Sequence, residues 1–120
     1  MARICVIDDK ELLRESLVET LTREDHQVVA FADPLAAVEA IKSPVVGGFD
    51  LVLSDLKMPG LDGIGLLREL RSSGLDVPVI LMTAYGTVPT AVQAMKLGAF
   101  DYIQKPFEPE QITVLVDRAV

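Results

Sequence analysis

The chain has 120 residues, the size of one ordinary domain, so separate catalytic, regulatory and nucleic-acid modules do not fit within it. Hydrophobic residues make up 50% of it, enough to bury roughly two-thirds of the unfolded surface and to exclude disorder. Eleven Lys and Arg against eighteen Asp and Glu leave a net charge of −7 with no local basic cluster, which argues against binding a phosphate backbone.

In chain order, the β-branched run Arg3–Ile7 reads as a first strand and ends in Asp8-Asp9. It is far too short for a secretory hydrophobic segment, and Cys5, the single cysteine, provides neither a disulfide framework nor a Cys-based metal site. A cytoplasmic location is expected. Leu13, Leu17 and Leu21 recur at helical spacing: Leu17 and Leu21 should face the core, whereas Leu13 and Ser16 lie near enough to the acids to meet a partner. His26 precedes a second strand, Gln27–Ala30, and Asp33-Pro34 is an N-cap followed by proline at the first helical position. Gly47-Gly48 is expected to stop this second helix.

The third strand, Leu51–Ser54, leads into Asp55, and Met58-Pro59-Gly60 reverses the chain before a helix carrying Ile64, Leu67 and Leu70, stopped at Gly74. A fourth strand, Val79–Met82, is followed by Thr83-Ala84. The uncharged stretch from Val77 to Met95 raises the question of a membrane span, but Pro78, Pro89, Gly86 and its threonines break it into a buried strand and a loop, so no membrane association is expected. Pro89 fits the first turn of a fourth helix, which Gly98 ends. The fifth strand, Tyr102–Gln104, runs into Lys105-Pro106. The final helical pattern, Pro109–Val120, has no Gly or Pro stop, so the helix, and a downstream output domain absent from this chain, are expected to follow.

Five strand–helix alternations point to a single α/β domain, a (βα)5 unit with a five-stranded parallel sheet. In such open sheets the ligand crevice lies beyond the carboxyl ends of the strands. There the sequence places Asp8, Asp9, Asp55 and Lys105, which meet in one small space if strands one, three and five are neighbours. A lone lysine cannot neutralise three carboxylates, and with no Cys or His nearby the hard cation Mg²⁺ is the expected counter-ion. Each piece has a blander reading: Asp8 with Glu11 as a capping box, Asp55 as a turn residue, Lys105 as a solvated charge. Their joint placement favours a site.

Val6-Ile7-Asp8-Asp9, the stretch from Asp55 through Met58-Pro59 to Asp62-Gly63, Met82-Thr83-Ala84, and Asp101-Tyr102 through Lys105-Pro106-Phe107 together resemble the receiver domains of two-component response regulators. Ala91 to Tyr102 is most similar to the NtrC-like class, whose members continue into an ATPase and a DNA-binding domain. The resemblance implies a flavodoxin-like strand order 2-1-3-4-5 and a sensor histidine kinase that phosphorylates Asp55. It also implies Mg²⁺ held by Asp9, Asp55 and the backbone carbonyl of Lys57, with Asp8 acting mostly through water. Lys105 and the Thr83 hydroxyl would bind the phosphoryl group, small Ala84 would leave its approach open, and the Lys57 and Tyr85 side chains would flank the pocket and tune hydrolysis. Pro106 corresponds to the family's proline after the active-site lysine, where a cis bond is expected. Tyr102 matches the switch aromatic, with a buried core tyrosine as the alternative.

Helix four, strand five and helix five carry Val88, Val92, Met95, Ile112, Leu115, Val116 and Ala119, a surface expected to change on phosphorylation and to support a homodimer, with packing on the sheet, or cover by a downstream domain, as the alternative for many of these residues. Three competing classes fit less well. An aspartyl phosphatase would have a second Asp where Lys57 stands, a silent interaction module would have lost a site residue, and a nucleotide-binding domain would have a Gly-rich loop after strand one.

Overall fold

A computed structural model describes residues 2–43, 48–84 and 88–120, with the Val88 side chain outside that description. The elements alternate throughout: β1 (Arg3–Ile7), α1 (Glu11–Arg23), β2 (Gln27–Phe31), α2 (Pro34–Lys42), β3 (Leu51–Asp55), α3 (Gly63–Ser72), β4 (Val79–Thr83), α4 (Val88–Lys96), β5 (Asp101–Gln104) and α5 (Pro109–Ala119). All pairings are parallel and the sheet order is β2-β1-β3-β4-β5. The order of strands expected from the sequence is therefore the one observed.

Alternation along each strand divides the core between the two faces of the sheet. Ile4 and Val6 of β1 pack with Leu17 and Leu21 of α1 and Ile112 and Val116 of α5, while Cys5 and Ile7 pack with Ala37 and Ile41 of α2 and Leu66, Leu67 and Leu70 of α3. β3 and β4 are buried along their whole length, as central parallel strands covered on both faces must be.

Three strands extend one residue past the apolar pattern, to Phe31, Asp55 and Thr83, and β5 begins one residue earlier, at Asp101. Polarity ended the pattern at Asp55 and Thr83, but the ladder continues: Asp55 pairs with Met82 and Thr83 with Gln104. The two residues that matter most for chemistry are thereby held on strand ends rather than on loops.

Helix ends follow local chemistry. Asp33 caps α2 by accepting a bond from the Leu35 amide at 3.0 Å, ahead of Pro34 at the first helical position. Gly74 and Gly98 adopt φ +80° and +96°, the left-handed backbone that ends α3 and α4 without the cost a side chain would add. The expected glycine stop of α2 is not the observed one: the helix ends at Lys42, and Ser43 is already extended at φ −76°, ψ 126°. Ser43 precedes Pro44, and the residue before a proline is pushed out of the helical region. Gly47 lies outside the described residues.

Candidate phosphoacceptor site

The capping box read for Asp8 and Glu11 does not form. Lys10 is the N-cap of α1, without a side-chain cap bond, and Asp8 is turned the other way, fully buried. Its Oδ1 accepts from the Lys10 amide at 2.9 Å and its Oδ2 faces the Lys105 Nζ at 3.3 Å. The Arg14 guanidinium donates to the Asp8 carbonyl at 2.8 Å and fixes the chain at the end of β1. Asp9, one residue on, is exposed at the mouth.

Asp55, at the end of β3, is buried, and its two oxygens differ. Oδ1 accepts from Lys105 Nζ at 3.1 Å. Oδ2 is buried and makes no hydrogen bond. Asp8, Asp9 and Asp55 each offer a carboxylate oxygen, all within 4.8 Å of one another. Three like charges so close, one ending in a buried oxygen without a donor, are unfavourable unless positive charge joins them. An all-oxygen donor set open to solvent on the Asp9 side fits a hard divalent cation.

The acids and Lys105 meet although the condition set for it, that strands one, three and five be neighbours, holds only for β1 and β3, because β4 separates β3 from β5. Lys105 reaches past the end of β4 to pair with both Asp8 and Asp55, so the cluster forms all the same. The Lys105-Pro106 bond is cis.

Sequence reasoning missed Lys10. Its ammonium lies 3.6 Å from Asp9 Oδ1 and 3.7 Å from Asp55 Oδ2, so two lysines, not one, face the acids. Negative charge from Asp55, then from Asp9, raises its pKa above the usual lysine value. Its position directly after Asp8-Asp9 was the available signal, but side-chain direction at a helix start is not legible from spacing.

Thr83 is buried at the end of β4 and lines a small apolar cavity with Leu56, Leu81, Thr90, Ala91, Ala94 and Tyr102. Tyr102 is 40% exposed, which corrects the core-tyrosine alternative. Ala84, Lys57 and Pro106 are exposed around the mouth, and Tyr85 lies outside the described residues. An open groove beside the site is lined by Leu13, Ala84, Lys105, Pro106 and Phe107. Leu13 is half-buried while Leu17 and Leu21 are buried, as the helical spacing required. Ile112 and Val116, assigned to the outer surface from sequence, are core residues; among the described residues on that side, Val92, Met95, Tyr102, Val114 and Val120 are exposed large hydrophobics.

Residues 4–117 match the response regulator receiver domain family. The chain belongs to that family. A receiver domain is a phosphorylation-controlled switch of two-component signalling, and its partners are histidine kinases. This receiver domain is 41% identical over 117 residues to the transcriptional regulatory protein FixJ of Bradyrhizobium diazoefficiens, covering 98% of this chain and 56% of FixJ. It is 43% identical over 117 residues to the response regulator protein FleR of Pseudomonas aeruginosa, with 98% of this chain and 24% of FleR covered. The DNA-binding transcriptional regulator NtrC of Escherichia coli is 36% identical over 117 residues, of which this chain covers 24%. The chain thus spans about half the length of one of these relatives and about a quarter of the other two. Among solved structures, the receiver domain of Francisella response regulator 1452 superposes with a TM-score of 0.92 at 25% identity, over 99% of this chain and 96% of that one. The FixJ-N crystal structure gives 0.86 at 38% identity, over 99% and 93%. Among the described residues, no helix is long and apolar enough to cross a membrane.

Proposed function

We propose that this receiver domain takes a phosphoryl group from the phosphohistidine of a sensor histidine kinase onto Asp55. The observation that carries the reading is the asymmetry of the Asp55 carboxylate: Oδ1 is tied to Lys105, whereas Oδ2 is left without a hydrogen-bond donor. Oδ2 is the nucleophile. It forms a bond to phosphorus as the phosphorus–nitrogen bond to the donor imidazole breaks, the imidazole takes up a proton, and an acyl phosphate remains on Asp55. Asp9, Asp55 and the Lys57 carbonyl, with Asp8 through water, would hold Mg²⁺, which when bound would supply positive charge against the transferring group. Lys105 keeps Oδ1 oriented and supplies positive charge from the protein itself. Exposed Ala84 leaves the approach open, and the exposed Lys57 side chain is placed to tune hydrolysis.

The acyl phosphate adds charge and acceptor oxygens that draw on the Thr83 hydroxyl. Thr83 and Tyr102 line one small cavity, so a shift of Thr83 makes room for Tyr102, half outside in this structure, to turn inward. The exposed residues Val92, Met95, Tyr102 and Val114 form the surface that changes, and a homodimer through α4, β5 and α5 is its readout. The relatives' names support transcription regulation through an output domain as the role of the whole protein.

Incubation with a small phosphodonor and Mg²⁺, followed by intact mass, tests the assignment. One added phosphoryl group is expected, lost with chelator and absent from Asp55→Asn. A stoichiometric, Mg²⁺-dependent gain by Asp55→Asn would overturn it.

A further inference from the structure

Lys10 occupies a place that the phosphoacceptor chemistry does not use. Its backbone is fixed, because the amide donates to Asp8 Oδ1 at 2.9 Å and the residue opens α1. Its side chain is 65% exposed and reaches back from solvent over the mouth of the cluster. The ammonium sits 3.6 Å from Asp9 Oδ1 and 3.7 Å from Asp55 Oδ2, outside hydrogen-bond distance of either. It therefore pairs by charge with two of the three carboxylates that offer ligand oxygens, one of them through the buried Oδ2 that makes no hydrogen bond. Lys105, which directly follows β5, uses Asp8 Oδ2 and Asp55 Oδ1. The two lysines thus divide the cluster: Lys105 pairs with Asp8 Oδ2 and Asp55 Oδ1, and Lys10 faces Asp9 Oδ1 and Asp55 Oδ2.

We infer that Lys10 is a tethered competitor of the divalent cation. Resting on the phosphoacceptor reading above, the inference adds a regulation of the same site. With the metal absent, the Lys10 ammonium supplies the positive charge that Asp9 and Asp55 need. A metal bound by these carboxylates would bring two positive charges beside the ammonium, and the exposed, flexible lysine stem would swing out to water while its backbone stays in place. Each binding event gives up two ion pairs, so the domain holds its cation more weakly than the three carboxylates alone would. Lys10 thereby sets the metal concentration at which Asp55 becomes competent. The long contacts and the solvent around the stem keep the effect modest, since exposed pairs of this kind are weak and screened by salt.

The test is the Mg²⁺ dissociation constant of the purified domain, by calorimetry at low salt, for wild type, Lys10→Met, Lys10→Arg and Lys96→Met. Lys96 is an exposed lysine at the end of α4, so its loss changes the net charge equally but away from the cluster. Lys10→Met is expected to bind Mg²⁺ about two- to five-fold more tightly than wild type. Lys10→Arg and Lys96→Met should stay within about two-fold of it, and the gain should shrink as salt rises. With Mg²⁺ absent, Lys10→Met should melt slightly lower than wild type. Wild-type binding that Lys10→Met leaves unchanged, or weakens, would overturn the inference while leaving the metal site standing. No Mg²⁺ binding by wild type or Lys10→Met would overturn both.

Discussion

Replacing Lys105 with methionine keeps most of the stem and deletes the ammonium that Asp8 Oδ2 and Asp55 Oδ1 face at 3.3 and 3.1 Å. Both carboxylates are buried, and the Lys105 side chain is itself only 14% exposed. Removing one member of a fully buried pair costs about 3–5 kcal/mol, because the other charge is left uncompensated. Here Lys10 remains 3.7 Å from Asp55 and Asp9 opens the cluster to water, which lowers the expected loss to about 2–3 kcal/mol. For 120 residues, with unfolding entropy near 2.1 cal/mol/K per residue, that is a fall in Tm of about 8–12 °C. Thermal unfolding followed by circular dichroism, with chelator and then with millimolar Mg²⁺, measures it. Mg²⁺ should narrow the deficit, since it brings positive charge to the same acids. A loss under about 0.5 kcal/mol, or a deficit that Mg²⁺ widens, would refute the view that Lys105 holds these carboxylates together.

Gly63→Ala should cost about 1–3 kcal/mol by urea unfolding, because the new Cβ would lie 2.8 Å from the Asp55 carbonyl oxygen and 3.0 Å from the Leu56 Cα, backbone atoms that cannot turn aside; no loss would mean that the α3 start can shift. Burial pushes the Cys5 thiol up to about 12 from 9.0. The unfolded chain then loses this proton first, so the thiol's contribution is intact below pH 9 and declines by about 1.4 kcal/mol per unit toward pH 12. The stability gap between wild type and Cys5→Ala should close over that window, and a constant gap would contradict the burial. Sedimentation over a concentration series should show tighter self-association after phosphorylation and no such change in Thr83→Ala; an association constant indifferent to phosphorylation would sink the dimer output.

The ten elements were legible because short β-branched runs and helical spacings alternate without interruption, whereas the strand order came from the resemblance to receiver domains. Asp55 and Thr83 fell just outside the strands read from sequence, since an apolar pattern stops at the first polar side chain whereas a hydrogen-bonded ladder does not. The end of α2 was misplaced because the glycine pair drew the eye past Ser43, which the following proline already forces out of the helix. At the site, the acids and Lys105 were readable from their places after strands. Lys10 was not, because its role depends on a side chain folding back over the strand it follows. Ile112 and Val116 were misassigned for a similar reason: the α5 pattern shows an apolar stripe, but only packing against Ile4 and Val6 shows which side of it is covered.

If Asp55 is the phosphoacceptor, borohydride reduction of the phosphorylated domain converts the acyl phosphate to homoserine, and peptide sequencing by mass spectrometry reads the position directly. Homoserine at position 55 alone, formed only after incubation with phosphodonor and Mg²⁺, is the expected result. Homoserine at position 8 or 9, or phosphorylated protein with Asp55 unmodified, would contradict the assignment.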